Sequence, residues 1–242
     1  MNRFAQFTVV FAMLMVLFGC AGGSSGGGGN NAPDPTVQFY HGVSDGSNYD
    51  FLYDEDVLTA NLAFRDASAG FQDVDALIHD VLIRETGTTN EIWAETFDFQ
   101  RDRDYLIAAL GLENYGAEPL KRAKLTRVEV NRQVPNGNKA RIIVFHGFNR
   151  AAGFLTPAID FQNPGNNPLV ALRGILYGET QVALIDATNQ TLQARRAGTE
   201  SVFVEDTISF GAGKIYAVFV LGVEDGVGPL APRIEVIELA SE

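Results

Sequence analysis

The chain has 242 residues, 46% hydrophobic and 20% charged, with 30 acidic against 18 basic side chains, a formal net charge of −12 and a single cysteine. Disorder is excluded, because it needs low hydrophobicity with dense charge, and so is a disulfide framework, which needs paired cysteines. The acid excess argues against nucleic acid and against docking on anionic lipid, both of which use clustered Lys and Arg.

Residues 1–19 read as an export signal. Arg3 is a positive start, and the mostly apolar stretch from Phe4 to Phe18 is shorter than the roughly 20 residues a membrane-spanning helix needs. The stretch ends in Leu17-Phe18-Gly19-Cys20, which resembles the bacterial lipoprotein box and marks Cys20 as the lipid attachment point. Residues 20–35, rich in Gly and Ser, form a flexible tether reaching about 15 to 20 Å over ten residues. Ala21 follows the cysteine where an inner-membrane retention signal would have Asp, so the expected address is the outer membrane, with the lipid on Cys20 as the membrane contact.

The remaining chain repeats itself. Arg84 to Gly111 aligns without a gap on Arg195 to Gly222, Phe39-Tyr40-His41-Gly42 on Val144-Phe145-His146-Gly147, and Asp50-Phe51 on Asp160-Phe161. Within each unit, alternation such as Val37, Phe39, His41 against Thr36, Gln38, Tyr40 is that of strands. Ala67 to Ile83 is the best helical candidate, but it fits a 3.6-residue period loosely and its counterpart around Val182 to Ile185 reads as a strand. About seven short strands per unit predict an all-β chain of two tandem immunoglobulin-like antiparallel β-sandwich domains, over 36–130 and 139–242, joined by a linker at 131–138. Ile142 to Phe145 is apolar on both strand faces, so its outer face must be covered by the other domain or by a partner.

These blocks resemble the bacterial domain-of-unknown-function family numbered 4397. The resemblance rests on His41-Gly42, Asp50-Phe51, Leu62-Ala63-Phe64 and Tyr105 to Gly111 in the first unit. In the second it rests on His146-Gly147, Asp160-Phe161, Ile175-Leu176-Tyr177 and Gly213-Lys214-Ile215-Tyr216 through Gly222. It extends over residues 36 to 239 and implies a β-sandwich envelope or surface module, without implying an activity.

His41, Asp50, His146 and Asp160 are the repeated motif positions that could carry chemistry. Both histidines share a strand face with apolar residues, which favours a core-edge imidazole bonded to loop backbone over a ligand or base. Residues 36–130 hold 18 acids against 8 bases, a balance of −10, compared with 11 against 8 over residues 137–242. Asp45 to Asp50 and Asp54-Glu55-Asp56 concentrate oxygens that could take Ca²⁺, although the spacing is not that of an EF-hand, and solvated loop acids are the favoured reading. No zinc spacing, nucleophile elbow, phosphate loop or dinucleotide fingerprint is present. The expected function is non-catalytic binding, adhesion or envelope structure, with no cofactor and with an envelope protein or glycan as partner. A Ca²⁺-dependent or small-ligand module is the alternative, and a hydrolytic enzyme the least favoured.

Overall fold

A computed structural model describes residues 32–114, 121–150, 155–165 and 169–241. The export signal, Cys20 and most of the tether lie outside them. Eight strands occupy the first half: β1 (Thr36–Val43), β2 (Tyr49–Tyr53), β3 (Asp56–Leu62), β4 (Gln72–Asp73), β5 (Leu77–Glu85), β6 (Glu91–Phe99), β7 (Asp104–Gly111) and β8 (Lys124–Glu129). Eight more follow: β9 (Lys139–His146), β10 (Ile159–Gln162), β11 (Ala171–Ile175), β12 (Thr180–Asp186), β13 (Asn189–Arg196), β14 (Val202–Ser209), β15 (Ile215–Leu221) and β16 (Arg233–Leu239). The stretch with the best helical claim holds β4 and most of β5, because Val81 and Ile83 alternate inward as strand residues do.

The strands form four sheets of four. Sheet I has the order β4-β1-β7-β8, sheet II β3-β2-β5-β6, sheet III β12-β9-β15-β16 and sheet IV β11-β10-β13-β14. Strand for strand, the order of the second half repeats that of the first. The pairing is antiparallel except at one place in each half, where β1 runs parallel to β7 and β9 parallel to β15. This departs from a purely antiparallel sandwich. Between its first and seventh strands the chain visits the opposite sheet, so the two meet through a long crossover and not through a hairpin.

Three apolar layers separate the four sheets. Sheets I and II enclose Val37, Phe39, Phe51, Val81, Ile83 and Phe99. Sheets III and IV enclose Ile142, Val144, Phe148, Phe161, Leu192 and Val218. The third layer lies between sheets I and III and joins the halves: Tyr40, Leu106, Ala108 and Leu110 meet Ile143, Phe145, Ala217, Phe219 and Leu221. The layers therefore run II, I, III, IV, and residues 32–242 make one compact unit. The second apolar face of β9 is covered by the first half.

Tyr40 stacks on Phe219 with ring centroids 3.6 Å apart and planes 6° from parallel, and Phe145 stacks on Phe219 at 4.7 Å. Polar groups close the rim. Arg65 pairs with Glu235 at 2.6 Å, the Lys124 ammonium donates to the Tyr177 carbonyl at 2.9 Å, and the Thr126 hydroxyl donates to the Gly178 carbonyl at 2.9 Å. A second repeated device closes each sandwich. The Tyr105 hydroxyl accepts the Gln100 N–H at 3.1 Å and the Tyr216 hydroxyl accepts the Gly211 N–H at 2.9 Å, a bond back to upstream backbone like the tyrosine corner of immunoglobulin-type domains.

Trp93 is the sole tryptophan and packs on the core of the first half, whereas Phe219 belongs to the second. Phe219→Ala removes a fully buried ring and should destabilise by about 3 to 5 kcal/mol. Because the layer between sheets I and III couples the halves, urea unfolding followed by Trp93 fluorescence should register that loss in full. An unchanged Trp93 midpoint would show that the halves unfold independently.

Candidate functional site

The two repeated histidines end the equivalent strands β1 and β9 and are both fully buried. The His41 Nε2–H donates to the Ser47 carbonyl at 2.8 Å, and its Nδ1 accepts the Val43 N–H at 3.2 Å. His146 donates from Nε2 to the Pro157 carbonyl at 2.9 Å, and its Nδ1 has no partner. Each imidazole thus fixes the loop after its own strand. The backbones match as well: His41 exchanges bonds with Arg65 and Asp66, and His146 with Gly178 and Glu179. Tyr49 stacks on the His41 ring at 4.2 Å, and Tyr177 meets the His146 ring edge-on at 5.9 Å. The glycine after each histidine answers to space and not to a special backbone angle, since a Cβ on Gly42 or Gly147 would stand 2.9 Å from Leu110 or Leu221. Burial is the main cause that pulls both imidazoles down to a pKa of about 4, well below the ordinary 6.5.

The repeated aspartates form a second pair of clamps, each on the outward face of a strand. Asp50 accepts the Asn61 N–H at 3.0 Å, the Thr86 hydroxyl at 2.9 Å and the Arg84 guanidinium at 3.2 Å. Asp160 accepts the Gly174 N–H at 2.9 Å, the Gly198 N–H at 3.0 Å and the Arg173 guanidinium at 3.1 Å. Asn61 and Gly174 are equivalent bulge residues with φ of 55° and 64°, in the left-handed region, where the chain turns an N–H toward the carboxylate. Burial alone would raise both carboxyls, but the donated hydrogen bonds outweigh it and hold both below the usual carboxylate range.

The acidic loops of the first half are used separately. Asp45 accepts the backbone N–H of Glu113 at 2.7 Å and of Asn114 at 2.9 Å, while Glu113 accepts the Tyr49 hydroxyl at 3.0 Å. Asp54 accepts from His79 at 2.9 Å and from the Asp80 N–H at 3.1 Å. Their contact raises the His79 pKa and lowers that of Asp54. Asp34, Asp54, Asp56, Asp73 and Asp75 line an open cleft of about 280 Å³ over Tyr53 and Leu58. Among the described residues no three His, Cys, Asp or Glu side chains gather closely enough to hold a metal.

A polar surface that motif reading does not reach lies on the outward face of sheet IV. Gln162 pairs in register with Gln193 and Ala171, and Gln193 with Glu205. Gln193 accepts the Arg195 Nε–H at 2.7 Å and donates its amide to Glu205. Gln162, Gln193 and Arg195 are 3%, 8% and 6% exposed, although no described strand lies beyond this sheet. The Gln162 Oε1 is sealed from solvent without a hydrogen bond. The equivalent row of sheet II is apolar: Val57, Leu52, Leu82 and Ala94. Superposing the two repeats would expose this contrast, because Leu52 and Leu82 stand where the second unit has Gln162 and Gln193.

A family model for a domain of unknown function, DUF4397, matches residues 35–162, from just ahead of β1 to the end of β10. That is more than half of the chain, and the chain belongs to this family. No curated protein matches it. Among solved structures, the family-26 carbohydrate-binding module CBMbc of Eubacterium rectale Amy13K, in complex with maltoheptaose, is 10% identical. That match covers 86% of this chain and 98% of the module at a TM-score of 0.26. A putative cell adhesion protein of Bacteroides eggerthii is 12% identical, with 88% and 98% covered and a TM-score of 0.23.

Burial holds both histidines at folded pKa values of about 4 against 6.5, so between those values the unfolded chain binds more protons and stability is lost as the pH falls. Each removes up to about 3 kcal/mol of stability as the pH falls from 6.5 to 4. The urea midpoint should decline steadily from pH 6.5 to 4, and His41→Asn with His146→Asn should flatten that decline; the carboxylate contribution disappears only below about pH 3.8. Asp160→Ala strands two backbone donors and should cost about 2 to 4 kcal/mol in a denaturation curve. Arg173→Ala should cost less than about 1 kcal/mol, because its side chain is 56% exposed.

Proposed function

We propose that this DUF4397 member is an exported, lipid-anchored, non-catalytic binding protein of the cell envelope, with two copies of one β-sandwich unit held off the membrane by the 20–35 tether. The observation that carries the binding role is the fate of the repeated polar residues. His41 and His146 are fully buried with their Nε2 protons on loop carbonyls, and Asp50 and Asp160 have their oxygens on backbone and arginine donors. General acid–base or nucleophilic work needs such groups to reach a substrate. Here they fasten loops and bulges, and rigid loops on a sandwich scaffold are a means of presenting a surface.

The anchor is supported by the sequence: the sole cysteine falls at the end of Leu17-Phe18-Gly19-Cys20, ahead of a Gly- and Ser-rich spacer. Several acyl chains on one cysteine hold a protein at a bilayer far more firmly than one does. The outer membrane is the proposed location, and an envelope protein or glycan the proposed partner.

Metabolic labelling with an alkynyl fatty acid should mark the wild-type chain, and Cys20→Ser should lose the label and leave the membrane fraction. A wild-type chain without label would end the anchor reading. Cross-linking in intact cells should join the chain to an envelope component, and an anchored chain that forms no adduct would end the binding reading.

A further inference from the structure

We infer that the outward face of sheet IV is a binding face for a neutral, hydroxyl-bearing ligand, a glycan segment laid across the row Gln162, Gln193 and Glu205. The inference rests on the non-catalytic binding role above and gives that role a place and a chemistry.

The argument starts from a cost. Gln162 holds an amide oxygen that neither protein nor solvent satisfies, and a buried polar atom without a partner is unfavourable. The fold does not need the amide, since Leu52 occupies the equivalent position of sheet II, in the same register and with the same strand neighbours. Stability therefore favours leucine at 162. A group that donates a hydrogen bond from outside reverses the balance.

The surroundings select the donor. Gln193, directly beside Gln162, is held from both sides by Arg195 and Glu205, so its amide is oriented in advance. Arg195 is committed to Gln193 and to Glu200, and Asp160 to Arg173 and two backbone N–H groups. With Arg173 and Arg195 each paired to a carboxylate, no cation among the described residues of the outward row is left free for a phosphate or sulfate. What it offers is amides and carboxylates at strand spacing, a row about 14 Å wide across four strands, with the Thr191–Thr207 hydroxyl pair alongside. Amide and carboxylate oxygens accept from hydroxyls, and a polyol carries several hydroxyls at comparable intervals. No described strand covers the face, and a ligand hydroxyl reaches the Gln162 Oε1 only if neighbouring side chains give way. Glu200 and Arg173, which pair with Arg195 and Asp160 on this face, are 91% and 56% exposed, and exposed side chains of this kind change rotamer within nanoseconds.

The test is thermal melting of the full-length chain in detergent. The probes are neutral malto-, cello-, manno- and xylo-oligosaccharides at millimolar concentration, with a sulfated oligosaccharide and an unstructured peptide as the competing classes. At least one neutral oligosaccharide should raise the melting temperature, since a ligand bound to the folded state stabilises it. Gln162→Leu and Gln193→Leu should each raise at least tenfold the ligand concentration needed for that rise. Gln162→Leu should also melt about 2 to 4 °C higher than wild type without ligand, as relief of an unsatisfied group predicts. A rise that survives both substitutions overturns the inference and leaves the binding role standing elsewhere on the molecule. A response to the sulfated probe or the peptide alone overturns the glycan assignment. No response to any probe, together with a cross-linked envelope protein, overturns the inference and keeps the role; no response and no adduct overturns both.

Discussion

The structure depends on one constraint: the central strands of sheets I and III, β1 with β7 and β9 with β15, have almost no side that faces water. β1 and β7 are packed against sheet II on one face and sheet III on the other, and β9 and β15 are enclosed in the same way. In an ordinary sandwich each sheet alternates apolar and polar residues, but a sheet buried twice must be apolar at nearly every position. β15, Ile215–Leu221, is apolar and buried throughout, and β7 is buried at every residue after Asp104. Polar groups on these strands are either sealed with a partner, like His41, or remain as orphans, like the Tyr40 hydroxyl. The outer sheets, relieved of this demand, are where the halves differ.

Much of this was legible in the sequence, and what was not has a physical reason. The repeat gave the correspondence of strands, and the unbroken apolar run Ile142 to Phe145 called for a cover on both faces. The parallel pairing of β1 with β7 left no trace, because direction within a sheet is set by which sheet the chain visits in between and not by side-chain pattern. Nor could spacing alone tell that Asp50 and Asp160 each seize a bulge in the neighbouring strand. That depends on Asn61 and Gly174 adopting a left-handed backbone, and both are residue types that do so readily. The outward glutamines escaped notice because exposed polar residues on a strand are the expected background; burial is what makes Gln162 unusual.

The two halves share clamps and differ in surface. Histidine to loop carbonyl, aspartate to bulge N–H and tyrosine to upstream N–H recur in both, each a polar side chain fixing backbone that the strand ladders leave loose. The faces those clamps support have diverged, apolar in sheet II and amide-rich in sheet IV. The acid excess is also confined mainly to the first half, whose aspartates line an open cleft. One scaffold therefore presents two surfaces of different character from opposite ends of the same four-layer stack.

The parallel pair also sets an order in time. Thr36 of β1 meets Asp104 of β7, 68 positions further along the chain, with only the two-residue β4 as its other strand neighbour. At synthesis rates of about 5 to 20 residues per second, β1 emerges roughly 3 to 14 s before the strand that completes its ladder. During that interval an apolar segment of eight residues has an open edge on each side, and closing so long a loop is slow besides. The same delay recurs when β9 waits for β15. In a chain built this way each inner sheet is completed late, so the long crossovers and not the local hairpins set the pace of folding.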